Sequence, residues 1–167
     1  MKAKNILVIY YSQSGLVDKT TKATLEPLLK DNSISVQFIE IKTKISLPFP
    51  WSYRNFFDIF PETVQGKTIP LEPFLIDKNI DYDLIVICYQ PWFLSISIPI
   101  NSFLLSDEIA EIVKEKNILT IITCRNMWIS AQEKMKKELK RLEANLVGNI
   151  VYADTHSNLI SLISVIR

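Results

Sequence analysis

The residues most able to do chemistry lie where an apolar run breaks off, in NILVIYYSQSGLVDKTTKA, residues 5–23. Ser12, Gln13, Ser14 and Gly15 sit between a strand-like segment and a helix-like one. A turn that feeds a helix N-terminus presents backbone N–H groups, and the helix dipole favours an anion there. Two serine hydroxyls add donors, and Gly15 lets the backbone approach closely or take positive φ. The chemistry this suits is the holding of a monophosphate; the alternative is that Ser14 only caps the helix. No Gly-Lys-Ser/Thr triplet occurs, which speaks against a nucleotide-hydrolysing P-loop.

Two more segments carry candidate residues. YQPWFLSISIPINSF, residues 89–103, offers Pro91, Trp92 and Phe93, with Pro99 suited to the first turn of a following helix. TCRNMW, residues 123–128, offers Cys124, Arg125, Asn126, Met127 and Trp128. Aromatics on two such loops suit a planar ring stacked beside a phosphate, although each alone reads equally as packing. Asn126 also reads as a helix N-cap, and Arg125 either as a carboxylate binder or as a surface residue. The catalytic candidates are the sole histidine His156 and more weakly Tyr89 and Tyr11 for proton transfer, and Arg125 for binding a substrate carboxylate; none is singled out as a base.

The elements that must position these residues follow from hydrophobic periodicity. Buried strands are expected at Asn5–Tyr11, Asp83–Tyr89 and Asn117–Thr123, an edge strand at Ile34–Ile41, and a further strand at Leu146–Ala153. Helices are expected at Val17–Lys30, Ile100–Lys116 and Met127–Leu142, with Pro27 weakening the end of the first. Residues 157–167 fit the start of a last helix, cut short at Arg167. Strands alternating with helices predict a three-layer, doubly wound α/β fold, with a five-stranded parallel sheet in order 2-1-3-4-5. The order reverses between strands one and three, so the loops Ser12–Gly15, Gln90–Ser95 and Thr123–Trp128 should meet at one edge. Residues 42–82 break the pattern with five prolines and the stretch FPWSYRNFFDIF. That stretch reads as a short helix whose aromatics either cover a sheet face or form a lid over a flat ligand.

Composition narrows the function classes. A net charge of +1 argues against a nucleic-acid footprint and against a strongly acidic electron carrier. The two cysteines, Cys88 and Cys124, lie in or beside apolar runs and read as buried thiols. No stretch approaches the ~20 apolar residues of a membrane span. The first apolar run is too short for a signal peptide, so a cytoplasmic location is expected.

The segment YYSQSG after an apolar strand resembles the FMN-phosphate loop of the flavodoxin-like superfamily, and QPWFLSISIPINSF is similar to the second flavin loop of quinone reductases and azoreductases. Together with FPWSYRNFFDIFPE, TCRNMWISAQEK and LVGNIV, these resemble the flavodoxin-like family of dialkylresorcinol condensing enzymes. Members of that family accompany a ketosynthase in pathways to aryl-polyene and flexirubin-type pigments, and run on beyond this length. The resemblance spans almost the whole chain. It implies an FMN site, with Ser12, Gln13, Ser14, Gly15 and Leu16 at the phosphate, and Pro91, Trp92, Phe93, Cys124, Arg125, Asn126 and Met127 at the ring. One departure is that Leu16-Val17-Asp18 replaces the hydroxyl residue usual just after the loop glycine, which removes a donor and adds a carboxylate. The resemblance further implies an oxidoreductase that aromatises a cyclic diketone to a resorcinol, with NADPH as a reductant and a homodimer as the assembly. The alternatives are a flavodoxin-type electron carrier and a flavin-free module docking on a ketosynthase.

Overall fold

The computed structural model describes residues 4–47 and 49–154, without the side chain of Tyr53. His156 and the expected last helix lie outside the described residues. Five strands form one parallel sheet: β1 (Lys4–Tyr10), β2 (Ile34–Glu40), β3 (Leu84–Tyr89), β6 (Asn117–Cys124) and β7 (Asn145–Ala153). Their order is β2-β1-β3-β6-β7, which is the expected 2-1-3-4-5 arrangement. A short antiparallel hairpin of β4 (Pro91–Trp92) and β5 (Ser95–Ile96) stands apart from the sheet.

The central strands are continuous apolar runs because both of their faces are covered. Leu7, Ile9, Ile85, Ile87 and Tyr89 point into a core shared with α3 (Ile98–Leu104), α4 (Asp107–Val113) and α5 (Ile129–Arg141). Ile6, Val8, Tyr10, Val86 and Cys88 point the other way, onto Val17 and Leu25 of α1 (Leu16–Leu29). Helix α1 runs through Pro27. The carbonyl that Pro27 deprives of its donor belongs to Ala23, which is exposed and open to water.

One expected helix is two. In place of a helix over Ile100–Lys116, α3 ends at Leu104 and α4 begins at Asp107. Ser106 between them is extended (φ −76°, ψ 144°) and its hydroxyl donates to the Phe103 carbonyl. Ser106 followed by Asp107 and Glu108 is a helix-start pattern that periodicity overrides on paper. Pro99 does sit in the first turn of α3.

The segment 42–82 leaves the sheet and returns. Its arms are tied by backbone hydrogen bonds from Lys44 to Pro70 and from Glu72 to Lys42. Between them lies α2 (Tyr53–Val64), whose N-cap Ser52 accepts a hydrogen bond from the Asn55 N–H. Trp51 and Ile59 from this excursion, with Trp92 and Ile98, make a small core of their own. Among the described residues no helix is long and apolar enough to cross a membrane.

Candidate functional site

The carboxyl ends of β1, β3 and β6 open onto a cavity of about 560 Å³, within the range usual for small-molecule sites. All three expected loops reach it: Gln13 from the first, Gln90 to Leu94 from the second, and Cys124 to Met127 from the third. The excursion closes a fourth side with Phe49, Trp51, Phe56 and Phe60. The cavity is therefore aromatic on the lid side and mixed on the sheet side. Crossing of the connections at the order reversal creates the opening.

The first loop divides in two. Gln13 lines the cavity, and its side-chain amide donates to the Leu47 carbonyl at 3.2 Å, tying the loop to the 42–82 excursion. Ser12, Ser14, Gly15 and Leu16 lie beside the cavity and do not line it. Gly15 takes φ 79°, where a side chain would be strained, and opens α1. The Ser12 hydroxyl accepts a hydrogen bond from the Asp18 N–H at 3.1 Å, so Ser12, and not Ser14, caps the first turn. Among the described residues the backbone N–H groups of residues 13–17 have no protein partner. They are the donors an anion would need. The Asp18 carboxylate is turned to Lys22 at 2.7 Å and to the Tyr10 hydroxyl, and its pKa is lowered, first by the Lys22 hydrogen bond.

Pro91, Trp92 and Phe93 all line the cavity. Trp92 is nonetheless 4% exposed and meets Trp51 edge-on at 5.2 Å, so it serves first as a packing platform. Phe93 stacks on Trp51 with ring centroids 5.6 Å apart and planes 15° from parallel. The indole N–H of Trp51 is buried and has no hydrogen-bond partner among the described residues. From the third loop, Cys124 is nearly buried, and burial raises its pKa. Arg125 is partly desolvated, which lowers its pKa, with Asp154 opposing. Met127 is 61% exposed at the rim. Asn126 is not a helix cap: α5 starts at Ile129, and the N-cap position is Trp128.

Tyr89 falls away as a catalytic candidate. It is fully buried, and its hydroxyl donates to Gln132 Oε1 at 2.8 Å within the core. Burial also pushes its pKa up, out of reach of a proton acceptor's role. Tyr11 is pushed up to about 12 by burial and packs edge-on against Trp92. Arg125 remains at the cavity. Gln90 and Leu94 lie in a loop expected at this edge and Phe49 in the aromatic stretch, but sequence alone does not single them out as lining residues. Leu94 left no signal, because a Phe-Leu pair does not read as a tight turn.

No family model and no curated protein matches this chain. Solved structures do. A flavoprotein of Lactobacillus acidophilus, in complex with FMN, superposes with a TM-score of 0.70 at 19% identity, covering 89% of this chain and 93% of that one. A Bacteroides eggerthii protein assigned as a flavoprotein gives 0.67 at 16% identity, over 95% and 94%. A flavodoxin from the domain Archaea gives 0.55 at 14% identity, over 94% and 90%. With the strand order above, these similarities establish that the chain has the flavodoxin-like fold.

Proposed function

We propose that this protein binds FMN at the cavity and acts as a flavin-dependent oxidoreductase. The observation that carries the reading is the juxtaposition of unpaired N–H groups at residues 13–17 with an aromatic cavity at the same sheet edge. A phosphate fits the first and a planar ring the second. The donor set is compatible with the group: Gly15 leaves its approach open, with no atom within 4 Å of where a side chain would start. The Asp18 carboxylate, which would repel a phosphate, is paired with Lys22 and hydrogen-bonded by the Tyr10 hydroxyl. That the Lactobacillus flavoprotein of the same fold was solved with FMN supports the choice of ligand.

In this reading Gln13, Ser14 and Gly15 hold the phosphate, and Pro91 and Met127 bound the ring. FMN, when bound, supplies a two-electron acceptor. The aromatic lid excludes water and holds a flat substrate against the ring. Arg125 offers a cation at the rim for an enolate or carboxylate oxygen. The resemblance in the sequence supports a cyclic diketone as substrate, a resorcinol as product and a ketosynthase as partner, with the two electrons and one proton-coupled hydrogen of the aromatisation passing to the flavin. A second reading is favoured by the Ser12–Asp18 contact, which already uses one loop hydroxyl. It is a flavin-free module that docks on a ketosynthase through the exposed Phe57, Phe60 and Val64 of α2.

An FMN titration followed by flavin fluorescence separates the two. Quenching with a dissociation constant in the micromolar range or tighter is expected. Absence of quenching, with the protein folded by circular dichroism, would discard the flavin reading in favour of the docking module.

A further inference from the structure

The hairpin of β4 and β5 turns through two residues, Phe93 and Leu94, with φ of 48° and 62°. Positive φ at both positions matches the twist of a hairpin, which is why Asn-Gly and Gly-Gly are the usual occupants. Here both positions carry bulky side chains, and the conformation is strained. Aromatic packing holds it in place. The Phe93 ring lies flat on Trp51 and meets Phe56 and Phe60 edge-on, each at 4.9 Å. The Trp51 indole beneath it has its N–H buried without a partner among the described residues. A strained turn and an orphaned donor thus coincide on the cavity wall. Neither improves the fold, and a buried donor left unpaired is destabilising.

We infer that Phe93 is a plug. Its ring covers the Trp51 face, and a planar ligand with a hydrogen-bond acceptor at its edge displaces it. Displacement lets the turn leave positive φ and frees the indole N–H to be satisfied. The inference rests on the flavin reading above and concerns the regulation of that site. Its consequence is that Phe93, a residue lining the cavity, opposes binding. The apparent affinity is the intrinsic one multiplied by the open fraction.

The test is an FMN titration of the wild type, Phe93→Ala, and the pair Leu94→Gly and Leu94→Ala. Phe93→Ala is expected to bind roughly tenfold tighter than wild type, as a closed fraction of about nine-tenths is removed. Both substitutions at Leu94 lose the same contacts, but only glycine relaxes the closed turn. Leu94→Gly should therefore bind more weakly than Leu94→Ala. Should wild type bind FMN and Phe93→Ala bind less tightly, Phe93 is a wall of the ring site and the plug is overturned with the flavin reading intact. Should Phe93→Ala not fold, the Leu94 pair decides, and equal affinities overturn the plug. Binding by none of the four proteins removes the flavin reading and the plug together.

Discussion

Ser14 is the residue on which the phosphate assignment turns most sharply. It is exposed, and among the described residues its side chain has no hydrogen bond. A carboxylate placed there would meet a phosphate at close range without disturbing packing. Ser14→Asp is expected to abolish FMN binding in the fluorescence titration while moving the thermal midpoint by less than about 2 °C. Unchanged affinity would take the first loop out of the site. Tyr89 is the opposite case, a residue that sequence nominated for chemistry and the core claims. Tyr89→Phe leaves the Gln132 Oε1 acceptor buried and unpaired, so a loss of about 1–3 kcal/mol in urea unfolding is expected. FMN affinity should stay at the wild-type value, which a tyrosine hydrogen-bonded to the flavin would not allow.

At the scale of elements, α1 couples stability to the proposed anion site. Its first turn is capped by the Ser12 hydroxyl, and its Asp18 carboxylate is held by Lys22 and Tyr10. Because the folded-state pKa of Asp18 is lowered, its contribution is present above the ordinary carboxylate range. It is lost as pH falls through the lower folded value. The pair is partly exposed, so the contribution stays below about 1 kcal/mol. Urea midpoints measured at pH 7 and in acid should show the gap between wild type and Asp18→Asn closing as pH drops; a gap that is unchanged would mean the carboxylate is not held in solution. The excursion 42–82 is the other element tied to function. Its arms are zipped at the base, and its aromatic stretch supplies both a small core and the cavity's lid side. Of the two sequence readings of those aromatics, Trp51 meets the packing one, and it also lines the cavity.

For the whole molecule, the sheet is a rigid frame and the site is its edge. FMN that binds the folded state alone must stabilise it by mass action. At a hundredfold excess over the dissociation constant the gain is about 2.7 kcal/mol, a rise of about 5–10 °C in the thermal midpoint for a chain this size. Scanning calorimetry with and without FMN measures it. Riboflavin, which lacks the phosphate, should give a smaller shift; equal shifts would mean that the N–H groups at residues 13–17 do not contribute.

Much of this was legible in the sequence. The unbroken runs Ile6–Ile9 and Leu84–Cys88 announced doubly covered parallel strands, because only burial on both faces tolerates such runs. Strand order and the convergence of three loops followed from the rules for right-handed crossovers. Local signals competed at the breaks. Ser106, extended and with its hydroxyl donated to the Phe103 carbonyl, splits one helix into two although an apolar stripe continues across it. Tertiary structure alone decided which nominated residues face the cavity. Tyr89 turns into the core and Ser12 and Ser14 stay beside the cavity, while Gln13 and Trp92 line it, since side-chain direction here is set by partners far away in sequence. The positive φ of Phe93 and Leu94 was also beyond sequence, because no residue there prefers that conformation. Contacts with Trp51, Phe56 and Phe60, 33 to 42 residues earlier, impose it.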